Sequence, residues 1–413
     1  MDRIILHSDL NNFYASVECM ENPKIKNKPV AVSGNPENRH GIVLAKNMIA
    51  KNMGIKTGDT IWAARQKCPD IIFLPPRFDK YIEISRMVRD IYYDYTNLIE
   101  PFGIDECWLD VTKSIPLFPS GEYIAESIRQ RVKKEIGITV SIGVSFNKIF
   151  AKLGSDMKKP DAITVISQNN FKNTIWKLPV SELLYAGRAT TKRLAKLNIF
   201  TIGDMANANP VIINQHFGKN GVMLQLYAQG RDESPVNNID YSREIKSIGN
   251  GTTLPFDVTN RDDIKIVLML LSESVSKRLR EKNLYCSTIQ LSIKFNTLES
   301  IDRQLPLEIA TNSTATIFNK SLEIFDKEEI IFPIRALSIR GCNIIDNIVF
   351  QESLLGSYKA IKMNKMLDNM IDNLREEYGW ASVQKGIMLV NKKLSHLNPN
   401  DDNTLQRIAF FKG

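Results

Sequence analysis

The sequence predicts an α+β protein of several domains, and three features of its texture carry that expectation. Residues 3–146 read as strand, helix, two strands, helix, strand. After Pro179 the chain breaks into short helices punctuated by glycine, and from Lys246 to Cys342 strand-like and helical runs mix again. At 413 residues and 43% hydrophobic, the chain can bury more than one core.

Taken in order, the run from Arg3 to Asp9 is a short apolar strand that ends in a carboxylate. From Tyr81 to Tyr95 the apolar positions 81, 84, 88, 91, 92 and 95 keep helical spacing. Leu98–Phe102 and Cys107–Val111 then flank GIDE as a hairpin, which leaves the adjacent carboxylates Asp105 and Glu106 at its turn. Gly121 to Glu135 leads Ile124, Ile128, Val132 and Ile136 at steps of four, an amphipathic helix. The following ITVSIGVSF alternates Ile138, Val140, Ile142 and Val144 with small residues, as a half-buried strand does. This is the split βαβ, ferredoxin-like order, with residues about 10 to 78 inserted after the first strand. In such a sheet the first strand lies beside the hairpin, so Asp9 approaches Asp105 and Glu106, and the turn lets two successive carboxylates converge.

Beyond Pro179, YAGRATTKRLAKLNIFTIGDMA carries Arg188, Lys192, Arg193 and Lys196 with no acid between Tyr185 and Phe200, and FGKNG supplies a second turn. Two helix-turn-helix units with cations near glycines suit sequence-independent phosphate binding; a solvated basic face fits these residues equally well. The polar stretch Arg231–Glu244 reads as a linker. Past it, CSTIQLSIKF and ALSIRGCNI look like strands, and a helix carries Lys277, Arg278, Arg280 and Lys282 against the single acid Glu281. A last clear helix, SYKAIKMNKMLDNMIDNLREEYG, precedes a polar tail ending LQRIAFFKG.

Composition narrows the function classes. Five scattered cysteines never form CxxC, which argues against a disulfide framework or a zinc site and for reduced, mostly buried thiols. The four histidines are equally dispersed, so a metal here would be held by carboxylate oxygen, as Mg²⁺ is. The longest apolar run, IVLMLL, is far short of the roughly 18 residues of a membrane span. Asp2 and Arg3 lead straight into a strand-like run with no secretory leader, and a cytoplasmic location is expected. A net charge of +8 and a pI near 9.0 suit a polyanionic partner.

Most Asp-Glu dipeptides are solvated turns, but a third carboxylate on the adjacent strand changes the chemistry. Three converging carboxylates need cations, and a pair of divalent ions is what in-line nucleotidyl transfer uses. The blocks HSDLNNFYASVE with KPVAVSG, GIVLAKNMIAKNMGIKTGD, EPFGIDECWLDVT and SIGVSFNKIFAKLGSDMKKPDAITVI resemble, in order and spacing, those of the Y-family DNA polymerases, of the polymerase IV and UmuC-like translesion type. The likeness covers residues 1 to about 345.

That resemblance implies a palm over 1–10 and 79–166, inserted fingers over 11–78 and a helix-hairpin-helix thumb over 167–233. A linker over 234–245 and an α+β little finger over 246–350 follow, with a C-terminal helix and tail over 351–413. It implies that Asp9, Asp105 and Glu106 are catalytic and hold two Mg²⁺ with the Leu10 carbonyl. Tyr14 would be the gate against ribonucleotides, with Phe13 packed on it. Lys159, with Lys152 and Lys158 as alternatives, and Lys51 would grip the triphosphate. Arg188, Lys192, Lys277 and Arg278 would contact primer-template DNA. A sliding clamp could be met through Gln406, Ile408, Phe410 and Phe411, and a monomer is expected. Three departures from the pattern stand out: Asn11 replaces a second Asp, Met48 and Lys51 stand where Tyr and Arg are common, and AGRA lacks Gly-x-Gly. A nucleotidyl cyclase, or a non-catalytic accessory subunit on a degenerate palm, are the competing readings; the first has no need of the basic C-terminal half, and the second none of the intact carboxylates.

Overall fold

A computed structural model of the chain describes residues 3–34, 41–238, 244–346, 357–395 and 397. The chain divides into two compact units, with the break at 242/243, inside the polar stretch.

The first unit is built on a five-stranded sheet. β1 (Ile5–Leu10) leads through Asn12, at φ 50°, into α1 (Phe13–Glu21). A small sheet follows from β2 (Val30–Ser33), β3 (Val43–Lys46) and β4 (Ile72–Leu74), in the order β3-β2-β4, with α2 (Met48–Asn52) and α3 (Ile61–Lys67) between its last two strands. Next come α4 (Phe78–Tyr93), the hairpin β5 (Ile99–Pro101) and β6 (Glu106–Asp110), α5 (Gly121–Arg131), β7 (Val140–Ser145), α6 (Lys148–Met157) and β8 (Ile163–Ile166). The large sheet runs β5-β6-β1-β7-β8. The expected β-α-β-β-α-β order is therefore present, and β8, parallel to β7, adds a fifth strand. The α5 helix stops earlier than its periodicity suggests, passing at Val132–Ile136 into a π-helical turn that closes on left-handed Gly137.

The expectation of a half-buried strand at β7 fails, because all six of its residues are buried. Leu6, Leu10, Ile142 and Val144 pack with α4 and α5 on one face. On the other, α6 lies directly on the sheet: a Cβ at Gly143 would meet the Ala151 carbonyl at 1.9 Å. The small residues alternating along β7 are what admit that helix, not a solvent face. The outer side of α6 gives Ile149, Phe150 and Leu153 to a separate core. That core also takes residues of α7 (Phe171–Ile175), α8 (Arg188–Ala195), α9 (Ile202–Asn207) and α10 (Pro210–Ala228). The FGKNG turn is a kink within α10, where Gly218 takes φ 59°, ψ −151°. The polar stretch after it is anchored at its start: Val236 is buried and Asn237 N–H donates to Glu100 at 2.9 Å.

The second unit is a four-stranded antiparallel sheet, order β11-β10-β12-β9. Its strands are β9 (Ser247–Val258), β10 (Tyr285–Phe295), β11 (Ser300–Thr311) and β12 (Ile334–Ile345). The helices α11 (Arg261–Glu281) and α12 (Thr314–Asp326) join the core formed by one sheet face. Sequence reading singled out neither β9, which is Gly- and Thr-rich, nor β11, a mostly exposed edge strand that tolerates Pro306. α13 (Ser357–Tyr378) is tied to α11 by ion pairs, Arg280–Asp372 at 2.7 Å and Arg375–Glu273 at 3.1 Å. All five thiols are free, and four are buried. No helix among the described residues is long and apolar enough to cross a membrane.

Candidate active site

The antiparallel register of β1 and β6 sets Asp9 directly opposite Glu106. Cross-strand partners share a face with Cβ atoms about 5 Å apart, so the two carboxylates meet on the α6 side of the sheet. Asp105 sits one residue earlier, where the hairpin turns, and its carbonyl accepts from Leu10 N–H at 3.0 Å. The three carboxylates feel one another's charge.

Two lysines answer that charge. α6 carries Lys152 to Glu106 Oε2 at 2.9 Å. The loop beyond α6 brings Lys159 to 2.7 Å from both Asp9 Oδ2 and Asp156 Oδ1. Asn11 holds that loop: its Oδ1 accepts from Asp161 N–H at 2.8 Å and from Thr139 Oγ1 at 3.0 Å, and its Nδ2 donates to Ser141 at 3.0 Å. This amide is thus committed to fixing the loop.

Compensation is uneven. Burial pushes the Asp9 carboxyl well above its usual range against the pull of Lys159, and the Glu106 and Asp105 charges add to the rise. Burial, then the Glu106 charge, raises Asp105 to about 6. Burial opposes ionisation of Glu106 as well, but His7 and Lys152 outweigh it and hold that carboxyl low. His7 is fully buried, its Nδ1 is 2.8 Å from Ser155 Oγ, and its Nε2 has no hydrogen-bond partner 3.6 Å from Glu106 Oε2. As the side chains stand, no group of three His, Cys, Asp or Glu among the described residues forms a metal shell. The donors nevertheless suit a hard divalent ion. They are carboxylate oxygens in a buried corner where two carboxyls resist ionisation for want of positive charge.

Tyr14, in the first turn of α1, lies beside this corner. Burial, then the Asp105 charge, raises its phenol pKa. Its ring is 5.7 Å from that of Phe13 and stacks on Tyr81 at 4.4 Å and 11°. Lys51 is exposed on α2, and its charge, after burial, holds the Lys46 pKa down. Lys158 is exposed. Arg188 and Lys192 are exposed on α8, whose N-cap is Gly187. In the second unit, α11 holds Lys277, 3.8 Å from Glu281, and Arg278, which donates to the Gly249 carbonyl at 2.7 Å. Arg280, from the same apparent patch, points inward to Asp368 and Asp372. The face of the sheet away from the core instead presents Lys294 and Arg340, both exposed. Sequence reading missed His7, Lys46, Tyr81 and these two cations. Alternation along β10 and β12 was the signal for the last pair. Gln406, Ile408, Phe410 and Phe411 lie outside the described residues.

Residues 8–156 match the impB/mucB/samB family, and residues 245–354 match that family's C-terminal domain. The chain is 48% identical to the DNA polymerase IV of Acetivibrio thermocellus, over 96% of this chain and all of that one. It is 35% identical to the DNA polymerase IV of Clostridium acetobutylicum, over 94% and 99%. DNA polymerase IV 1 of Halalkalibacterium halodurans is 37% identical over 93% of each. Among solved structures, the Y-family DNA polymerase chimera Dbh-Dpo4(243-245)-Dbh matches with a TM-score of 0.73 and 26% identity, over 83% of this chain and all of that one. The chain belongs to the impB/mucB/samB family, among the DNA polymerase IV members of the Y-family DNA polymerases.

Proposed function

We propose that this DNA-directed DNA polymerase adds deoxynucleotides to a primer 3′-hydroxyl with two Mg²⁺ ions, at low fidelity and past damaged template bases. The observation that carries the reading is the register that opposes Asp9 to Glu106 with Asp105 at the adjoining turn. Asp9, Asp105, Glu106 and the Leu10 carbonyl are the groups that would hold the ions. Bound there, the ions would lower the pKa of the attacking hydroxyl and neutralise the leaving pyrophosphate. Lys159, paired with Asp9 at 2.7 Å, exchanges that partner for the triphosphate as nucleotide enters, its flexible stem giving the reach. Lys51, beside Lys46, offers a second cation. Tyr14 and Phe13 close the sugar side of the pocket, and Tyr14 opposes a 2′-hydroxyl. Arg188 and Lys192 on α8 suit the DNA backbone; in the second unit the open sheet face, with Lys294 and Arg340, is a better support than Lys277 and Arg278, whose helix packs into the core.

The family matches over 8–156 and 245–354 are compatible with the proposed division into palm, fingers, thumb and little finger. A cytoplasmic monomer, recruited to a sliding clamp by residues 406–411, completes the proposal. Primer extension on templates with and without an abasic site tests it. Wild type extends across both and Asp105→Ala on neither; extension by Asp105→Ala within tenfold of wild type overturns the assignment.

A further inference from the structure

The stacked pair Tyr14–Tyr81 belongs to a longer construction. Tyr81 is fully buried in α4, and its hydroxyl donates to Glu18 Oε1 at 2.7 Å. Glu18, 6% exposed on α1, also receives Arg77, whose Nε and Nη2 lie 3.0 and 2.7 Å from its two oxygens. Arg77 extends to Glu21 at 2.8 Å. Phe78, at the start of α4, meets the rings of Tyr14 and Tyr81 edge-on, each at 6.0 Å. The buried Tyr81 phenol needs an acceptor, and here the acceptor is a carboxylate that is itself clamped by a guanidinium. The bidentate arginine fixes the carboxylate, and the carboxylate's bond to the phenol fixes the far end of the Tyr81 ring.

We infer that Tyr81, locked by Glu18 and Arg77, is a positioning residue for sugar selection: it sets the plane and depth of the Tyr14 ring beneath the incoming nucleotide. The inference rests on the reading of Tyr14 as the ribonucleotide gate. A gate works only if its ring cannot retreat. Tyr14 is carried by a helix it could tilt on, and the flat face of Tyr81 behind it prevents that movement. The Glu18 clamp in turn ties α1 to the start of α4, so the two rings are held from both of their helices.

The test is steady-state insertion of one deoxynucleotide and its ribonucleotide counterpart by full-length Tyr14→Ala, Tyr81→Leu, Tyr81→Phe and Glu18→Gln. The ratio of the two kcat/KM values is taken on one preparation, so the folded fraction cancels. Tyr81→Leu should lower discrimination ~5–10-fold, the size of one aromatic stacking interaction, through a lower KM for the ribonucleotide with deoxynucleotide kcat little changed. Tyr81→Phe, which keeps the stacked ring but loses the Glu18 bond, and Glu18→Gln, which weakens the clamp, should each fall between wild type and Tyr81→Leu. If Tyr14→Ala relaxes discrimination while Tyr81→Leu keeps the wild-type ratio, Tyr81 is only core and the inference fails with the gate reading intact. If Tyr14→Ala itself leaves the ratio unchanged, the gate reading fails and carries the inference down with it.

Discussion

Glu18 and Asp9 are equally buried, each 6% exposed, and both come from the first 20 residues. Glu18 has a bidentate arginine and a tyrosine hydroxyl. Asp9 has one lysine, and two further carboxylates crowd it. The difference is one of charge compensation, and on the proposed function it tells a clamp from a cation site. A buried carboxylate with its donors supplied holds two helices together, whereas one held above its ordinary pKa by burial and like charge is a place for a cation.

Breaking the under-compensated corner should have the largest effect. Asp9→Ala or Glu106→Ala should slow single-turnover extension by about 10³-fold, the scale of losing a group aimed at developing charge, with primer-template affinity within twofold. Breaking the compensated corner should act first on stability, with any change in sugar discrimination following from a loosened Tyr81. Arg77→Ala leaves Glu18 buried without its cation; removing one partner of a fully buried pair costs about 3–5 kcal/mol, and since Arg77 is 45% exposed the loss should be nearer ~2 kcal/mol. Urea unfolding measures it, and an unchanged midpoint would erase the contrast.

Much of this was legible beforehand. Alternation and helical spacing place β1, α4, the β5–β6 hairpin, α5 and β7, and adjacency in that topology is enough to bring Asp9 to Glu106. The stacking of Tyr14 on Tyr81 was not legible, because the two rings are 67 residues apart and tyrosine at helical spacing looks like any core. Nor was the inward turn of Arg280, whose partners Asp368 and Asp372 come from a helix nearly 90 residues on. A run of like charges on a helix does not say which of them face solvent.

A smaller effect should come from DNA affinity. Neutralising Arg188 or Lys192 should each reduce the slope of log affinity against log salt by roughly 0.9 on duplex DNA, with no dependence on sequence. A slope that does not move would return α8 to the solvated-face reading.

The most direct measurement follows Asp105 itself. Its carboxyl is raised from 3.8 to about 6 in the folded chain, so the stability its protonated form contributes is present below pH about 4 and is lost as pH rises through about 6. Asp105→Asn removes that loss. Thermal midpoints of wild type and Asp105→Asn, taken in EDTA and in Mg²⁺ at pH 5 and pH 8, should show the variant more stable in EDTA at pH 8, by up to about 3 kcal/mol, and by about half as much at pH 5, where the loss is only partly developed. Mg²⁺ should stabilise wild type at pH 8, less at pH 5, and the variant little at either. A variant less stable than wild type in EDTA at pH 8, or stabilised by Mg²⁺ as fully as wild type, would contradict the assignment of this corner to cations.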